Sequence, residues 1–277
     1  MNWLRGRRFG RACREPQRQH PITRHDGKSS PLCLVMIVHG DGLLPFLENA
    51  LITLRASGNF LPVVIWTSQW TSVSLCERLA NCYGAKCLPL ILPLTHQENG
   101  YANWGTDTFK TACAYKYQAL LKTLDLGYEQ VVYADCDIAY LNDFSTYISD
   151  ASKNFEMGVQ SEAQPVFPPK YCCGFMYFTQ RAKPVLEQLH SLNMDALPNR
   201  CDQTVFNDYI NGDSERRTRL YVLPESLFQN GLQYRGHLSG HDKRVVGQLR
   251  PFLFHANWVV GLCDKRRLLK RLRLWKI

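Results

Sequence analysis

The sequence predicts an α/β protein: a mostly parallel central sheet flanked by helices, with a smaller mixed part. Two observations in the first half carry that reading and a third bounds it. Short apolar, β-branched runs of strand length recur, each closed by turn residues. Segments with apolar residues at helical spacing lie between them, and strand–helix–strand order implies parallel pairing. In the second half the alternation is less regular, which predicts a mixed, more antiparallel remainder.

Residues 1–30 lack periodicity and are rich in Arg, Gln and Pro, so a disordered tail is expected. The run 32–38 has no polar residue and ends at His39-Gly40-Asp41-Gly42, a strand buried on both faces that enters a turn. Residues 45–57 read as a helix stopped by Gly58-Asn59. A second strand over 63–67, a helix over 72–83 closed by Gly84, and a third strand over 87–92 follow. One long helix is expected over 108–124, carrying Lys110, Lys116 and Lys122, and then a strand over 130–134. Beyond it, 175–178 and 220–224 read as strands, and 182–192, 203–210 and 264–276 as helices. Nothing resembles an interdomain linker, so residues 31–277 are expected to form one domain.

Of 277 residues, 45% are hydrophobic and 21% charged, which excludes a disordered or collagen-like chain. No apolar run approaches the roughly 18–20 residues of a membrane span. The first apolar run follows about thirty polar residues, unlike a secretory signal. The net charge of +9 sits at the ends. Residues 1–28 hold seven Arg and one Lys against Glu15 and Asp26, and residues 264–277 hold seven basic residues against Asp264. The region between is net acidic, so a nucleic-acid partner is not expected. Solvated ends are the plain expectation; peripheral contact with an anionic membrane surface, or with a ligand phosphate, is the other. The eleven Cys include no C-x-x-C pair, so structural zinc is not expected. Thiols of this kind are expected to be mostly reduced, which points to the cytoplasm. In an oxidising compartment, Cys172 with Cys173 and Cys82 with Cys87 are the expected pairs.

The sharpest chemical feature is Asp135-Cys136-Asp137 at the end of the strand 130–134. In extended chain the two carboxylates point the same way, about 6.6–6.8 Å apart, and can hold a divalent cation. An ordinary Asp-rich turn is the plainer alternative. Downstream, an apolar run ends at His255, followed by Gly261 and Lys265: an imidazole, a flexible backbone site and a cation. Between lie Cys172-Cys173-Gly174 before Phe175-Met176-Tyr177-Phe178, and Asp202-Gln203 at the start of a helix. Asp202 reads either as an N-cap or, with Gln203, as a sugar-binding group.

D-x-D, then G-F-M-Y-F, then D-Q-x-x-F-N, then H-A-N-W-x-x-G-x-x-x-K, in that order, resembles the nucleotide-diphospho-sugar transferase family, and more distantly the glycogenin-like retaining glycosyltransferases. The resemblance spans residues 34–265. It implies a GT-A fold, a Rossmann-like sheet continuous with an acceptor-side half. It implies transfer of a sugar from a nucleoside diphosphate donor, UDP being the expected nucleotide, to a glycan or protein hydroxyl with retention. By the same resemblance Asp135, Asp137 and His255 hold Mn²⁺ or Mg²⁺. Gly261 and Lys265 meet the diphosphate, Val38, His39 and Gly40 lie by the base, and Cys136 belongs to the donor site. Lys116 lies near the donor, and Asp202 and Gln203 face the transferred sugar. Where relatives have Asn-x-Gly, this chain has Cys172-Cys173-Gly174. The stretches 93–107 and 225–250 are the expected acceptor site. Golgi association is the alternative location the resemblance raises. A haloacid-dehalogenase-type phosphatase also places D-x-D after a strand, but Ile138 follows the second Asp and no later G-D-x-x-x-D exists. A degenerate transferase acting as a sugar- or partner-binding module is the non-enzymatic alternative.

Overall fold

A computed structural model describes residues 31–93, 102–162, 164, 166–232 and 250–277. The expectations for 1–30 and for most of the two acceptor-site stretches, 94–101 and 233–249, lie outside the described residues.

Strand β1 (Leu32–Val38) is followed by α1 (Leu44–Ala56), β2 (Val63–Thr67), α2 (Val73–Cys82) and β3 (Ala85–Pro89). Next come α3 (Asp107–Ala114), α4 (Lys116–Asp125), β4 (Gln130–Ala134), β5 (Ile138–Tyr140), α5 (Ser145–Asn154) and β6 (Met157–Ser161). The remainder is β7 (Tyr171–Thr179), α6 (Lys183–Ala196), α7 (Asp202–Asn211), α8 (Ser214–Thr218), β8 (Leu220–Leu223), β9 (Phe228–Asn230), β10 (Leu253–His255) and α9 (Leu262–Arg271). A seven-stranded sheet has the order β3-β2-β1-β4-β7-β6-β8, and only β7 runs against the others. A three-stranded mixed sheet, β5-β10-β9, lies beside it.

Period-two alternation sorts β1 onto two cores. Leu32, Leu34, Met36 and Val38 pack with Phe46 and Leu47 of α1, Phe254 of β10 and Leu269 of α9. Cys33, Val35 and Ile37 pack with Tyr117 and Leu120 of α4, Leu186 of α6 and Phe206 of α7. A strand buried on both faces needs no polar position, which is why it reads as an unbroken apolar run. The chain after α9 returns to α1. Asn49, fully buried, donates to the Leu274 carbonyl at 3.2 Å and accepts from the Lys276 backbone N–H at 2.7 Å. Trp275 sets its ring edge-on to Phe46, with centroids 5.0 Å apart.

The expected elements form with some shifts. The third strand is 85–89 because its register is set by pairing with β2, Val63 opposite Ala85 through Thr67 opposite Pro89. The long helix divides at Tyr115, whose ψ of −5° departs from the helical value. The helix at 202 starts one residue earlier than expected: Cys201 takes the cap position and Asp202 the first helical one. Cys87 lies in contact with Cys76, Sγ to Sγ 3.2 Å, a pair the sequence does not single out. No described helix is long and apolar enough to cross a membrane. Three of the five basic residues of α9 have partners within the chain, Lys265 with Asp137, Arg267 with Asp264 and Arg266 over the Trp275 ring, while Lys270 and Arg271 are exposed, and Leu268 and Leu269 are core. The structure therefore lends no support to a membrane contact through this end.

Candidate active site

The sheet order places β1 between β2 and β4, so the crevice beyond the carboxyl ends of β1 and β4 is the topological switch point where open α/β sheets bind ligands. Val38 and His39 end β1 there. Thr71 braces the exit: its hydroxyl donates to the Val38 carbonyl at 2.9 Å and accepts from the Gly40 N–H at 3.0 Å. His39 packs edge-on against Trp70, ring centroids 5.3 Å apart.

At the end of β4 the ladder continues one residue, the Asp135 N–H donating to the Gly174 carbonyl at 2.8 Å. The chain then turns at Cys136 and Asp137 instead of staying extended. That turn replaces the expected straight-strand geometry and draws the two carboxylates together. Cys136 points its thiol back to the Ile37 carbonyl, 3.4 Å away, so its side chain belongs to the core. His255, at the end of β10, approaches from the smaller sheet. Its Nε2 lies 3.5 Å from Asp135 Oδ2 and 3.3 Å from Asp137 Oδ1. One ligand atom from each of the three residues lies within 4.8 Å of the others.

This donor set fits a divalent cation: two carboxylate oxygens and one imidazole suit Mn²⁺ or Mg²⁺ better than a soft metal. Gly174 of β7 passes over the cluster so closely that a Cβ there would stand 2.1 Å from His255 Cε1 and 2.6 Å from Asp135 Oδ2. The backbone there is clear enough to let the three candidate ligands meet. Each ligand also has a fixed far side. The Tyr133 hydroxyl donates to Asp135 Oδ1 at 2.7 Å, and Lys265 of α9 donates to Asp137 Oδ2 at 2.5 Å. Gly261, at φ 88°, begins α9 in a conformation that suits glycine.

Without a cation these groups neutralise one another. Burial pushes His255 down, but Asp137, Cys172 and Asp135 push it up and win, holding it well above the usual histidine range. Burial pushes Asp137 up, but Lys265 and His255 hold its carboxyl below the usual range. Asp135 is lowered in the same way, burial being outweighed by His255 and Lys116. A raised histidine stabilises the fold fully below its unfolded value of about 6.5, and that contribution is lost as pH rises through the folded value. The lowered carboxylates stabilise it above about 3.9 and lose that contribution as pH falls. A ligating imidazole must also give up its proton. In EDTA, the melting temperature is therefore expected to fall from pH 6.5 to 8, while the stabilisation added by Mn²⁺ grows over the same range. Thermal melts with and without Mn²⁺ check this; a metal-free melting temperature that climbs with pH would contradict a charged His255.

Lys116 and Asp202 form a pair deeper in. Lys116 Nζ donates to Asp202 Oδ2 at 2.7 Å and to the Cys173 carbonyl at 2.8 Å, and lies 4.4 Å from the centroid of the Tyr133 ring. The two residues are 3% and 5% exposed, so this is an interior ion pair. Burial pulls the Lys116 ammonium down, yet Asp202 and Asp135 raise it above its ordinary value. Lys116 thus holds the Asp202 carboxylate in place. Gln203 accepts from the Cys173 N–H at 3.3 Å and donates to Glu162 Oε1 at 2.8 Å. Glu162, 5% exposed and raised by burial, is a site residue the sequence reading missed. Its only signal was a polar triplet, Gln160-Ser161-Glu162, closing Met157-Gly158-Val159. Cys172 places its sulfur 3.3 Å from Asn257 Nδ2 and 3.7 Å from His255 Nδ1.

The family model of nucleotide-diphospho-sugar transferases matches residues 74–269, which contain all three candidate metal ligands. The chain belongs to the nucleotide-diphospho-sugar transferase family. The fold of this transferase is similar to that of mouse xyloside xylosyltransferase 1 in its apo form, with TM-score 0.53, 14% identity, and coverage of 82% of this chain and 98% of that one. It is also similar to the galactosyltransferase LgtC in complex with donor and acceptor sugar analogs, with TM-score 0.54, 11% identity, and coverage of 87% and 96%. GlyE of Streptococcus pneumoniae TIGR4 is similar at TM-score 0.51 and 13% identity, over 84% of this chain and 59% of that one. These likenesses establish a GT-A glycosyltransferase fold. No curated protein matches the chain.

Proposed function

We propose that this transferase is a metal-dependent, retaining glycosyltransferase that moves a hexose or pentose from a UDP-sugar to a hydroxyl of a glycan or protein acceptor. The observation that carries the reading is the convergence of Asp135, Asp137 and His255 at the switch point, under a strand cleared by Gly174. These three residues hold Mn²⁺ or Mg²⁺. When bound, the cation supplies Lewis-acid stabilisation of the charge that grows on the departing nucleoside diphosphate. Lys265 adds a positive charge beside the same centre, and Gly261 opens the N-terminal turn of α9, whose backbone N–H groups suit a phosphate. Val38, His39 and Gly40 line the base end, and the backbone of Cys136 lies on the donor side. Asp202 and Gln203 face the sugar, Asp202 held by Lys116 and Gln203 by Glu162.

A second reading, a degenerate transferase that binds a sugar or a partner, is favoured by Cys172 alone. One assay separates the two: UDP release from a panel of UDP-sugars, with Mn²⁺ and with EDTA, for the wild type and Asp137→Ala. Release from one donor is expected with Mn²⁺, lost in EDTA and reduced by about a hundred- to a thousandfold in the variant, the scale of losing one electrostatic stabiliser. No release, with no UDP binding by calorimetry, would favour the binding module.

A further inference from the structure

We propose that Gln160 is the positioning residue that fixes the metal-facing tautomer of His255. This rests on the reading of Asp135, Asp137 and His255 as a metal centre. Gln160 is fully buried in β6, an unusual place for an amide. The pairing of β6 with β7 is irregular just there: Val159 lies opposite Met176, but Gln160 lies opposite Cys172. Bulges of this kind re-aim side chains.

The orientation of the Gln160 amide follows from its partners. Nε2 donates to two successive carbonyls of β9, Phe228 O and Gln229 O, each at 3.0 Å. Turning the amide over would set Oε1 against two acceptors, so the nitrogen belongs where it is. Oε1 then faces His255 Nδ1 at 3.0 Å, and an amide oxygen only accepts. Nδ1 must therefore carry the proton, which leaves the Nε2 lone pair for the side where Asp135 and Asp137 converge. The remaining polar neighbour of Nδ1 is the Cys172 sulfur at 3.7 Å, a weaker acceptor. Gln160 also sits on both relevant frames at once. It holds β9, and β9 pairs in register with β10, Asn230 opposite His255. The residue thus fixes the ring's proton and, through the strand beside it, the ring's position. Such outer partners tune metal affinity by about 10–100-fold.

Two substitutions separate positioning from plain structural support, with Mn²⁺ as the probe and its binding read by the loss of the free-ion EPR signal. Gln160→Met removes both the acceptor and the donors. Gln160→Glu keeps an acceptor for Nδ1–H but offers nothing to the two β9 carbonyls. Mn²⁺ affinity is expected to fall by about 10–100-fold in Gln160→Met. In Gln160→Glu it is expected to stay within about threefold of the wild type, while both variants melt lower. Equal loss of affinity in both variants would overturn the proposal, because a support role needs the donors and glutamate cannot supply them. A ¹⁵N-histidine NMR spectrum of the Mg²⁺-loaded wild type gives an independent reading that needs no variant. A proton on Nδ1 of His255 supports the proposal, and a proton on Nε2 overturns it. A wild-type protein that takes up no Mn²⁺ would instead remove the metal reading itself, an outcome distinct from either.

Discussion

Gly174→Ala is expected to abolish Mn²⁺ binding while leaving a folded protein. The added Cβ would lie 2.1 Å from His255 Cε1, 2.6 Å from Asp135 Oδ2 and 2.9 Å from His255 Nε2. None of these atoms belongs to a flexible chain end. His255 is 1% exposed, its backbone is paired to β5 and β9, and its Nδ1 is held by Gln160. Asp135 is tied by Tyr133 and by its own N–H to the Gly174 carbonyl. Glycine is held on the β4 side, where its carbonyl accepts from the Asp135 N–H and Phe175 pairs with Ala134. The collision is resolved by moving a ligand, and a ligand moved by an ångström no longer meets its partners. A loss of about 100-fold or more in Mn²⁺ affinity is expected, at or beyond the upper end for disturbed supporting shells. UDP release should fall with it. EPR titration and circular dichroism in EDTA check the two halves of the statement. Wild-type affinity in Gly174→Ala would mean that the three ligands do not converge beneath β7.

The largest effect on stability is expected from Asp202→Ala. It leaves the Lys116 ammonium buried beside one carbonyl and an aromatic face, without its carboxylate. Breaking a buried ion pair from one side costs about 3–5 kcal/mol. In a chain of this size that corresponds to a fall of about 10 °C in melting temperature. Removing both charges is a different change: Lys116→Met with Asp202→Leu should recover more than half of the loss, because no desolvated charge remains. The double variant should still be inactive in UDP release, since the carboxylate proposed to face the sugar is gone. Thermal melts of the three variants decide this, and an Asp202→Ala protein that melts with the wild type would show that the ammonium finds another partner.

The sequence reading succeeded where burial is simple. β1, β2 and β4 are bounded as expected, because strands covered on both faces must be apolar along their whole length. It failed between residues 138 and 161 and again at 228–230. β6 reads Met-Gly-Val-Gln-Ser and β9 reads Phe-Gln-Asn, and of their polar residues Gln160, Gln229 and Asn230 are buried and only Ser161 is partly exposed. A hydrophobic pattern cannot find a strand whose inward face is a hydrogen-bonded network. α5 was invisible for the opposite reason: of its residues only Ile148 and Ser152 are buried. Motif order singled out Asp135, Asp137, His255 and Lys265, which the structure brings together, and Asp202, which it pairs with Lys116. It did not find Tyr133, Gln160 or Glu162, whose parts depend on contacts between distant segments. Nor could it show that Lys116 faces inward to Asp202, because that requires the break at Tyr115.

Those distances along the chain bear on when the site can exist at all. Lys116 and Asp202 are 86 residues apart, Gln160 and His255 are 95 apart, and Lys265 and Asp137 are 128 apart. The Asn49 clamp spans more than the whole site, reaching 225 and 227 residues to Leu274 and Lys276. Contacts of such separation form last, after local helices and neighbouring strands are in place. On the ribosome, the parallel half can take shape while the second half is still being made. The three candidate metal ligands come together only once β10 has been synthesised and docked. The closing contact made by Asn49 waits for the residues that follow α9. A nascent or C-terminally nicked chain would thus keep much of its sheet and yet have no catalytic centre, so that activity reports on completion of the fold more sharply than secondary structure does.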